Sequence, residues 1–420
     1  MRVVHLLRKC NPAEWGGTET AVQRLLEGLH QHQVDPVVFC PRLNNGHLRD
    51  PFVEAGWPVK RFNACVPVWG LREEQRRQLV AVGGNLMSFD LFGALRREEP
   101  VSLIHTHTQG RLAAIALEVA RRRRLPFVIT IHGGYMDLPE SLRNNLGRSA
   151  VAGVEWGRLF GLLLRTRRFY ADADAIVTCN ENEAALFRAR HPGKRVMVQP
   201  HSVPIALYQK KQAAVARAAF PEIEGKRILL SVGRIDAVKN QGWLVKQAPA
   251  IFQRHPQAML VLAGACTDDS YGAALNKEIR KLGLQRSVLL TGGLPPGDPR
   301  LIGLFQEAHA VLLPSISETF GLVILESWAA GTVPISSHTS GASALIRDGH
   351  NGWLFGLDNP KSFHDAIDTA LLRPELAEQL AAAGRERVAT EFDTTVLAQR
   401  MKNLYERLIE EKHALRNSAG

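Results

Sequence analysis

Two glutamates, Glu318 and Glu326, stand with seven residues between them in SETFGLVILES, residues 317–327. Carboxylates accept hydrogen bonds, so such a pair can hold sugar hydroxyls with one member and ribose hydroxyls with the other. The apolar run before them ends near Pro314, and a helix-prone stretch opens near Gly321. A helix start presents unsatisfied N–H groups and the positive end of its dipole, a natural seat for a diphosphate. Gly321 has no side chain to block close approach. Thr319, Phe320 and Leu322 flank it and complete the candidate ligand contacts. Gly331 closes the helix and Pro334 follows, the usual order past a C-terminus. A capping acid beside a surface glutamate is the plainer alternative for the same pair. The strand–loop–helix setting favours the ligand role.

Histidines form the second candidate group. His132, in TIHGGY, ends an apolar β-rich run, and Gly133 and Gly134 let the following chain bend toward Tyr135. His105 and His107, in HTHTQG, share one face at strand spacing. His107 is a candidate for the same site, with Gly133 and Tyr135. A metal is not expected. The histidine pair has no carboxylate or third ligand at matching spacing. The five cysteines (Cys10, Cys40, Cys65, Cys179, Cys266) contain no CxxC pair, which excludes a zinc ribbon or disulfide framework and fits a reducing compartment.

These residues need a scaffold. The 420 residues exceed one ordinary core and predict two domains. Short Val- and Ile-rich runs alternate with helical stretches: VVHLL, DPVVFC, PVKRF, SLIHTH, PFVITIH, AIVTC and RVMVQP in the first half. The series restarts with RILLSVGR, AMLVLAGA, SVLLTGG, AVLLPS and VPISS. Buried runs separated by helices predict parallel sheets with βαβ crossovers. The expected fold class is α/β, with two Rossmann-like doubly wound domains facing a central cleft. The boundaries are residues 1–203, 204–393 and a final helix over 394–420. The linker falls between Pro200 and Lys226, and Leu397, Met401, Leu404 and Leu408 give the last helix an apolar stripe packing back on the first domain.

Lys and Arg exceed Asp and Glu by 52 − 41 = 11. A basic surface suits a phosphorylated substrate, anionic lipid or nucleic acid. No nucleic-acid module or aromatic-interleaved basic strip occurs, so nucleic acid is set aside. Arg121 to Arg124 read as a helix end. No run of 18 apolar residues spans a membrane, and MRVVHLLRKC reads as a first strand, so a cytoplasmic location is expected. The stretch Val154 to Tyr170 joins apolar residues and Trp156 to Arg165, Arg167 and Arg168. It reads either as a core-facing helix with a solvated basic edge or as a helix on the cytoplasmic membrane face.

The Glu-x7-Glu segment after a strand resembles retaining glycosyltransferase family 4 (glycosyl transferases group 1), whose fold is called GT-B. VGRIDAVKNQ resembles the family's G-R-x4-K element, giving Gly233, Arg234 and Lys239. NPAEWGGTET resembles its glycine loop, giving Gly16 and Gly17, and ADADAIVTCNENE its last N-domain strand and turn. The resemblance implies catalytic roles for His132, Arg234, Lys239 and Glu318. It implies donor contacts from Gly16, Gly17, Gly233, Thr319, Phe320, Gly321, Leu322 and Glu326. Arg234 and Lys239 would meet the negative charge that grows as a diphosphate departs, and His132 would contact the donor sugar. Two positions depart from the family pattern: Ala344 stands where a Glu is common, and His201–Ser202 replace an asparagine–glycine pair.

The implied reaction moves a hexose-type sugar from a nucleotide-diphosphate donor to a hydroxyl acceptor, on a glycan, a lipid carrier or a small metabolite, with retention. No cofactor is implied, because basic side chains and a helix end do the neutralising. No acid is evidently placed as a nucleophile, so same-face displacement is favoured, with the departing phosphate accepting the acceptor's proton. The alternatives are a GT-B sugar phosphorylase or epimerase, and a non-catalytic basic protein binding lipid or nucleic acid.

Overall fold

The computed structural model describes residues 1–10, 15–42, 50–70, 86–133, 154–157 and 168–418. The chain divides into two compact units, one of Met1–Pro200 with Thr395–Gly420, the other of His201–Thr394.

The first unit carries β1 (Arg2–Leu6), β2 (Asp35–Pro41), β3 (Val59–Phe62), β4 (Val68–Trp69), β5 (Leu103–Thr106), β6 (Phe127–Ile131), β7 (Val154–Glu155), β8 (Ala175–Thr178) and β9 (Val196–Val198). Seven of them form a parallel sheet in the order β3-β2-β1-β5-β6-β8-β9. The second unit carries β10 (Arg227–Val232), β11 (Ala258–Ala263), β12 (Val288–Gly292), β13 (Ala308–Leu313), β14 (Pro334–Ser337) and β15 (Trp353–Phe355). They form a parallel sheet in the order β12-β11-β10-β13-β14-β15. Both sheets reverse their winding once, between β1 and β5 and between β10 and β13. Loops diverge at such a switch point and leave a crevice at the strands' carboxyl ends.

Both faces of the first sheet are buried, which is why its strands read as continuous apolar runs. Val4, Ile104 and Ile129 enter a cluster with Leu112, Ile115 and Val119 of the Gly110–Arg123 helix. Their neighbours Val3, Leu103 and Val128 enter another with Ala398, Met401, Leu404, Tyr405 and Leu408. The Thr394–Asn417 helix therefore covers one face of the first unit's sheet. Arg195 binds Glu411 through two hydrogen bonds of 3.0 and 2.8 Å, and Lys412 pairs with Asp174 at 2.8 Å. Arg416 donates to the carbonyls of Arg123 and Arg124, at the end of the Gly110–Arg123 helix. The Arg121–Arg124 run is thus a helix C-terminus.

Three sequence expectations change. The segment from Pro200 to Lys226, where the sequence predicts the linker, lies from His201 onward in the second unit. It forms the Ile205–Tyr208 and Ala213–Ala219 helices. Gln306 binds the Gln212 N–H and the Tyr208 and Lys210 carbonyls, and a methyl on Gly303 would lie 2.3 Å from the Gln212 oxygen. The small residues of Ala213–Ala219 allow this close helix packing, a signal that Pro204 and Pro221 obscure. The short strand β15 adds a sheet edge that three residues cannot announce. The stretch from Val154 is not helical at its start, where β7 pairs with β4; residues 158–167, with Arg165 and Arg167, lie outside the described residues.

Candidate active site

In the second unit, β10 runs into Gly233, whose φ of +146° only glycine adopts readily. The following loop lies against the end of β11: Gly233 and Ile235 donate to the carbonyls of Ala263 and Ala265 at 3.0 and 2.9 Å. A methyl on Gly264 would sit 1.9 Å from the Gly233 oxygen, so the two chains approach as only glycine permits. Asp236 organises the loop. Its carboxylate accepts the Lys239 N–H at 2.9 Å and pairs with Arg234 at 3.3 Å. Gln241 donates to the Arg234 carbonyl at 2.8 Å, opening the Gln241–Arg254 helix.

The loop after β13 lies across the switch point from this one. Ile316 donates to the Val238 carbonyl at 2.8 Å, and Asn240 to the Pro314 carbonyl at 3.1 Å. These bonds bring the Lys239 ammonium against the Glu318 carboxylate, 79 residues away in sequence. Both side chains are about one-fifth exposed, while Arg234 is 40% exposed. Residue type and the family resemblance assign Lys239 and Glu318 separate tasks on phosphate and sugar. The fold joins them in an ion pair, so each also orients the other.

Behind Glu318, Gly341 donates to its carbonyl at 2.8 Å and Ser340 at 3.2 Å. A methyl on Gly341 would lie 2.7 Å from that oxygen and 2.6 Å from the Phe320 nitrogen. Thr319 is half-buried. Phe320 is buried and packs edge-on against His201 and Phe392. Gly321, at φ +94°, caps the Leu322–Ala330 helix, whose free N–H groups start at Leu322. Glu326 lies within that helix and is 5% exposed. The predicted ligand contacts on residues 318–322 thus occupy one turn, beside Lys239. The sequence reading missed Asp236, which acts through its carboxylate, and Gly264, Ser340 and Gly341, which act on neighbouring backbone. Only the glycines at the β11 end and in TSGAS hinted at them. Ala344 sits in the Ser340–Leu345 helix.

In the first unit, Gly16 caps the Gly17–Gln31 helix, and its N–H donates to the Glu19 carboxylate at 3.1 Å. His132 directly follows β6, and Gly133 turns with φ +95°. Gly134 and Tyr135 lie outside the described residues. His107 Nδ1 lies 2.8 Å from His132 Nε2, so these two predicted site residues do meet. His107 Nε2 in turn lies 3.0 Å from His5 Nδ1.

His5 corrects the sequence reading, which found no third histidine. Parallel pairing of β1 with β5 sets His5 directly opposite His105 at the switch point. Ligand atoms of His5, His105 and His107 lie within 4.8 Å of one another, a spacing that could hold a metal ion. The bonding pattern argues for a hydrogen-bonded chain instead. His105 uses Nδ1 on the Tyr405 hydroxyl and Nε2 on the Thr130 hydroxyl, both at 2.6 Å, while His5 and His107 face each other. Burial pushes the pKa of His5 down to about 3 and that of His132 to about 4, and lowers that of His105. These three rings are neutral at physiological pH.

Two family profiles match the chain: "Glycosyl transferase 4-like domain" over residues 16–201 and "Glycosyl transferases group 1" over residues 213–387. Among sequence relatives, D-inositol 3-phosphate glycosyltransferase of Corynebacterium jeikeium is 29% identical, with 97% of each chain covered. The protein of that name from Actinosynnema mirum is 27% identical, covering 87% of this chain and 86% of that one. Among solved structures, Anabaena HepE in complex with UDP and glucose superposes with a TM-score of 0.71 at 18% identity, covering 97% of this chain and all of that one. Sucrose-phosphate synthase of Thermosynechococcus elongatus gives 0.71 at 22% identity, covering 98% and 99%. These neighbours share the GT-B fold.

Proposed function

This chain belongs to the glycosyl transferases group 1 family and is a glycosyltransferase, and on that footing we propose that it transfers a hexose from a UDP-sugar, with retention, to a hydroxyl of a phosphorylated cyclitol. The observation that carries the donor site is the Lys239–Glu318 pair beside the Gly321 helix start, at the switch point of the second unit. Free N–H groups of the helix meet the diphosphate, and Lys239 and Arg234 add charge-assisted hydrogen bonds. Glu318 and Glu326 receive sugar and ribose hydroxyls, and His132 contacts the transferred sugar. UDP is chosen because HepE was solved with it, and the cyclitol because the curated relatives are named for inositol 3-phosphate.

The anomeric C–O bond to the diphosphate breaks while the acceptor oxygen bonds the same face. The departing phosphate oxygen takes the acceptor's proton. Fixed cations neutralise the growing charge, so no metal is required, and EDTA leaves turnover unchanged. UDP release from UDP-glucose or UDP-N-acetylglucosamine, dependent on inositol 3-phosphate, tests the reading; the product anomer by NMR tests retention. No UDP release with either donor, or an inverted product, overturns it.

Peripheral membrane contact by a cytoplasmic enzyme is a second reading. The exposed rings of Trp69 and Phe89 flank Trp156 at 6.3 and 6.4 Å, on a chain of net charge +11. Flotation with anionic liposomes supports it; failure to float removes it.

A further inference from the structure

We propose that the second unit carries a second anion site, apart from the donor seat, in which Lys211, Arg217 and Arg385 hold a small phosphate-bearing metabolite. The inference goes beyond the reaction proposed above and does not rest on it.

The site is a pocket of 490 Å³, lined wholly by residues of the second unit. That volume lies in the range of metabolite pockets. Its walls are small side chains. Ala213 and Ala214 open the Ala213–Ala219 helix, and Ala329 and Ala330 end the Leu322–Ala330 helix. Its charged lining is basic. Lys211 and Arg217 come from the segment after Pro204, and Arg385 from the Pro374–Arg387 helix. Among the described residues no carboxylate lines the pocket.

These cations are not neutralised in place. Arg217 pairs with Glu307 at 2.5 Å. The side chains of Lys211 and Arg385 make no ion pair or hydrogen bond to a described residue. The Arg385 guanidinium lies against Gly331, where a methyl would sit 2.1 Å from its Nη2. A cation there meets the negative end of the Leu322–Ala330 helix, which accounts for its place. It leaves the N–H donors of the guanidinium unused. A pocket in the first unit shows the contrast. Arg121, Arg124, Lys412 and Arg416 rim 370 Å³, and Asp172 and Asp174 line the same space. The two aspartates pair with Arg121 and Lys412, each at 2.8 Å. That pocket carries its own counter-charge. The pocket of the second unit keeps a surplus of positive charge even when Glu307 is counted.

A phosphate group supplies the missing charge. Its oxygens accept charge-assisted hydrogen bonds, the strong class, from the planar fork of Arg385 and the ammonium of Lys211. The donor seat is a different place. Leu322, where the free N–H groups start, and Ala330 stand at opposite ends of one helix, about 12 Å apart along its axis.

The test is a titration of the 15N-labelled full chain with inorganic phosphate, at an ionic strength held constant with sodium chloride, read at the backbone amides. The amides of Ala213, Ala330 and Gly331 are expected to shift saturably. Lys211→Gln combined with Arg385→Gln is expected to weaken that binding at least about tenfold, with any shift at Leu322 as in the wild-type chain. Lys211→Gln alone changes an exposed residue. It is expected to weaken binding about three- to tenfold and decides if the double variant does not fold. No saturable shift at Ala330 and Gly331 overturns the proposal. So does equal affinity in the wild-type chain and the variant, the mark of a general salt effect. Binding at Leu322 alone also overturns it and leaves the donor reading standing. A shift at Ala330 and Gly331 without one at Leu322 counts against the donor seat and leaves this site intact.

Discussion

Lys239 is the residue on which the proposed donor site turns. It pairs with Glu318, lies beside a helix start and belongs to a loop held by Asp236. A charge-assisted hydrogen bond is worth roughly 1.5–3 kcal/mol. Lys239→Ala is expected to lower kcat/KM at least about tenfold, and Glu318→Gln to do the same, with circular dichroism unchanged. Steady-state kinetics check both; full activity in either rejects the assignment. The histidines predict a pH dependence of stability. Unfolding raises His5 and His132 from about 3 and about 4 to an ordinary histidine pKa. The unfolded chain then binds protons that the folded chain does not. Stability is full above about pH 6.5 and falls as pH drops toward the folded values, by about 1.4 kcal/mol per pH unit for each such histidine. Urea midpoints measured from neutral to acid pH check this, and a flat profile contradicts it.

At the scale of elements, the site depends on loops crossing the sheet edge at close range. Gly264 and Gly341 do not touch the predicted ligand contacts through side chains. A methyl at either would strike backbone closer than 3 Å. Gly264→Ala should cost about 1–3 kcal/mol through overpacking, seen as a lower denaturation midpoint. Gly341→Ala pushes on the Glu318 carbonyl and the Phe320 nitrogen, so it should reduce turnover more than stability. Comparing kcat with the melting temperature separates the two effects. The strands and major helices were legible because β-branched runs and helical periodicity are local signals. Gly321 and Gly331 marked the ends of their helix for the same reason. The helices after Pro204 were not, because two prolines and short spans resemble a linker.

At the scale of the whole molecule, the last helix belongs to the first unit, although it follows the second in sequence. It buries Met401, Leu404, Tyr405 and Leu408 against β1, β5 and β6, and Tyr405 holds His105 from the far face. Removing residues 395–420 uncovers that face, so the truncated chain is expected to aggregate or lose its cooperative thermal transition. Tyr405→Phe removes one buried hydrogen bond and should cost about 1–3 kcal/mol, with the fold retained.

The amino-acid order alone determined the two α/β halves and the helix start at Gly321, and its resemblance to the family named Arg234, Lys239, Glu318 and His132 as candidates. The halves and the helix start are written in periodicity and glycine placement over spans of a few turns. Only the tertiary structure decided that Lys239 meets Glu318 and that His5 stands opposite His105. Both meetings depend on which strands become neighbours. That order is set by crossover connections and packing of whole sheets, so residues 79 or 100 positions apart carry no local mark of it.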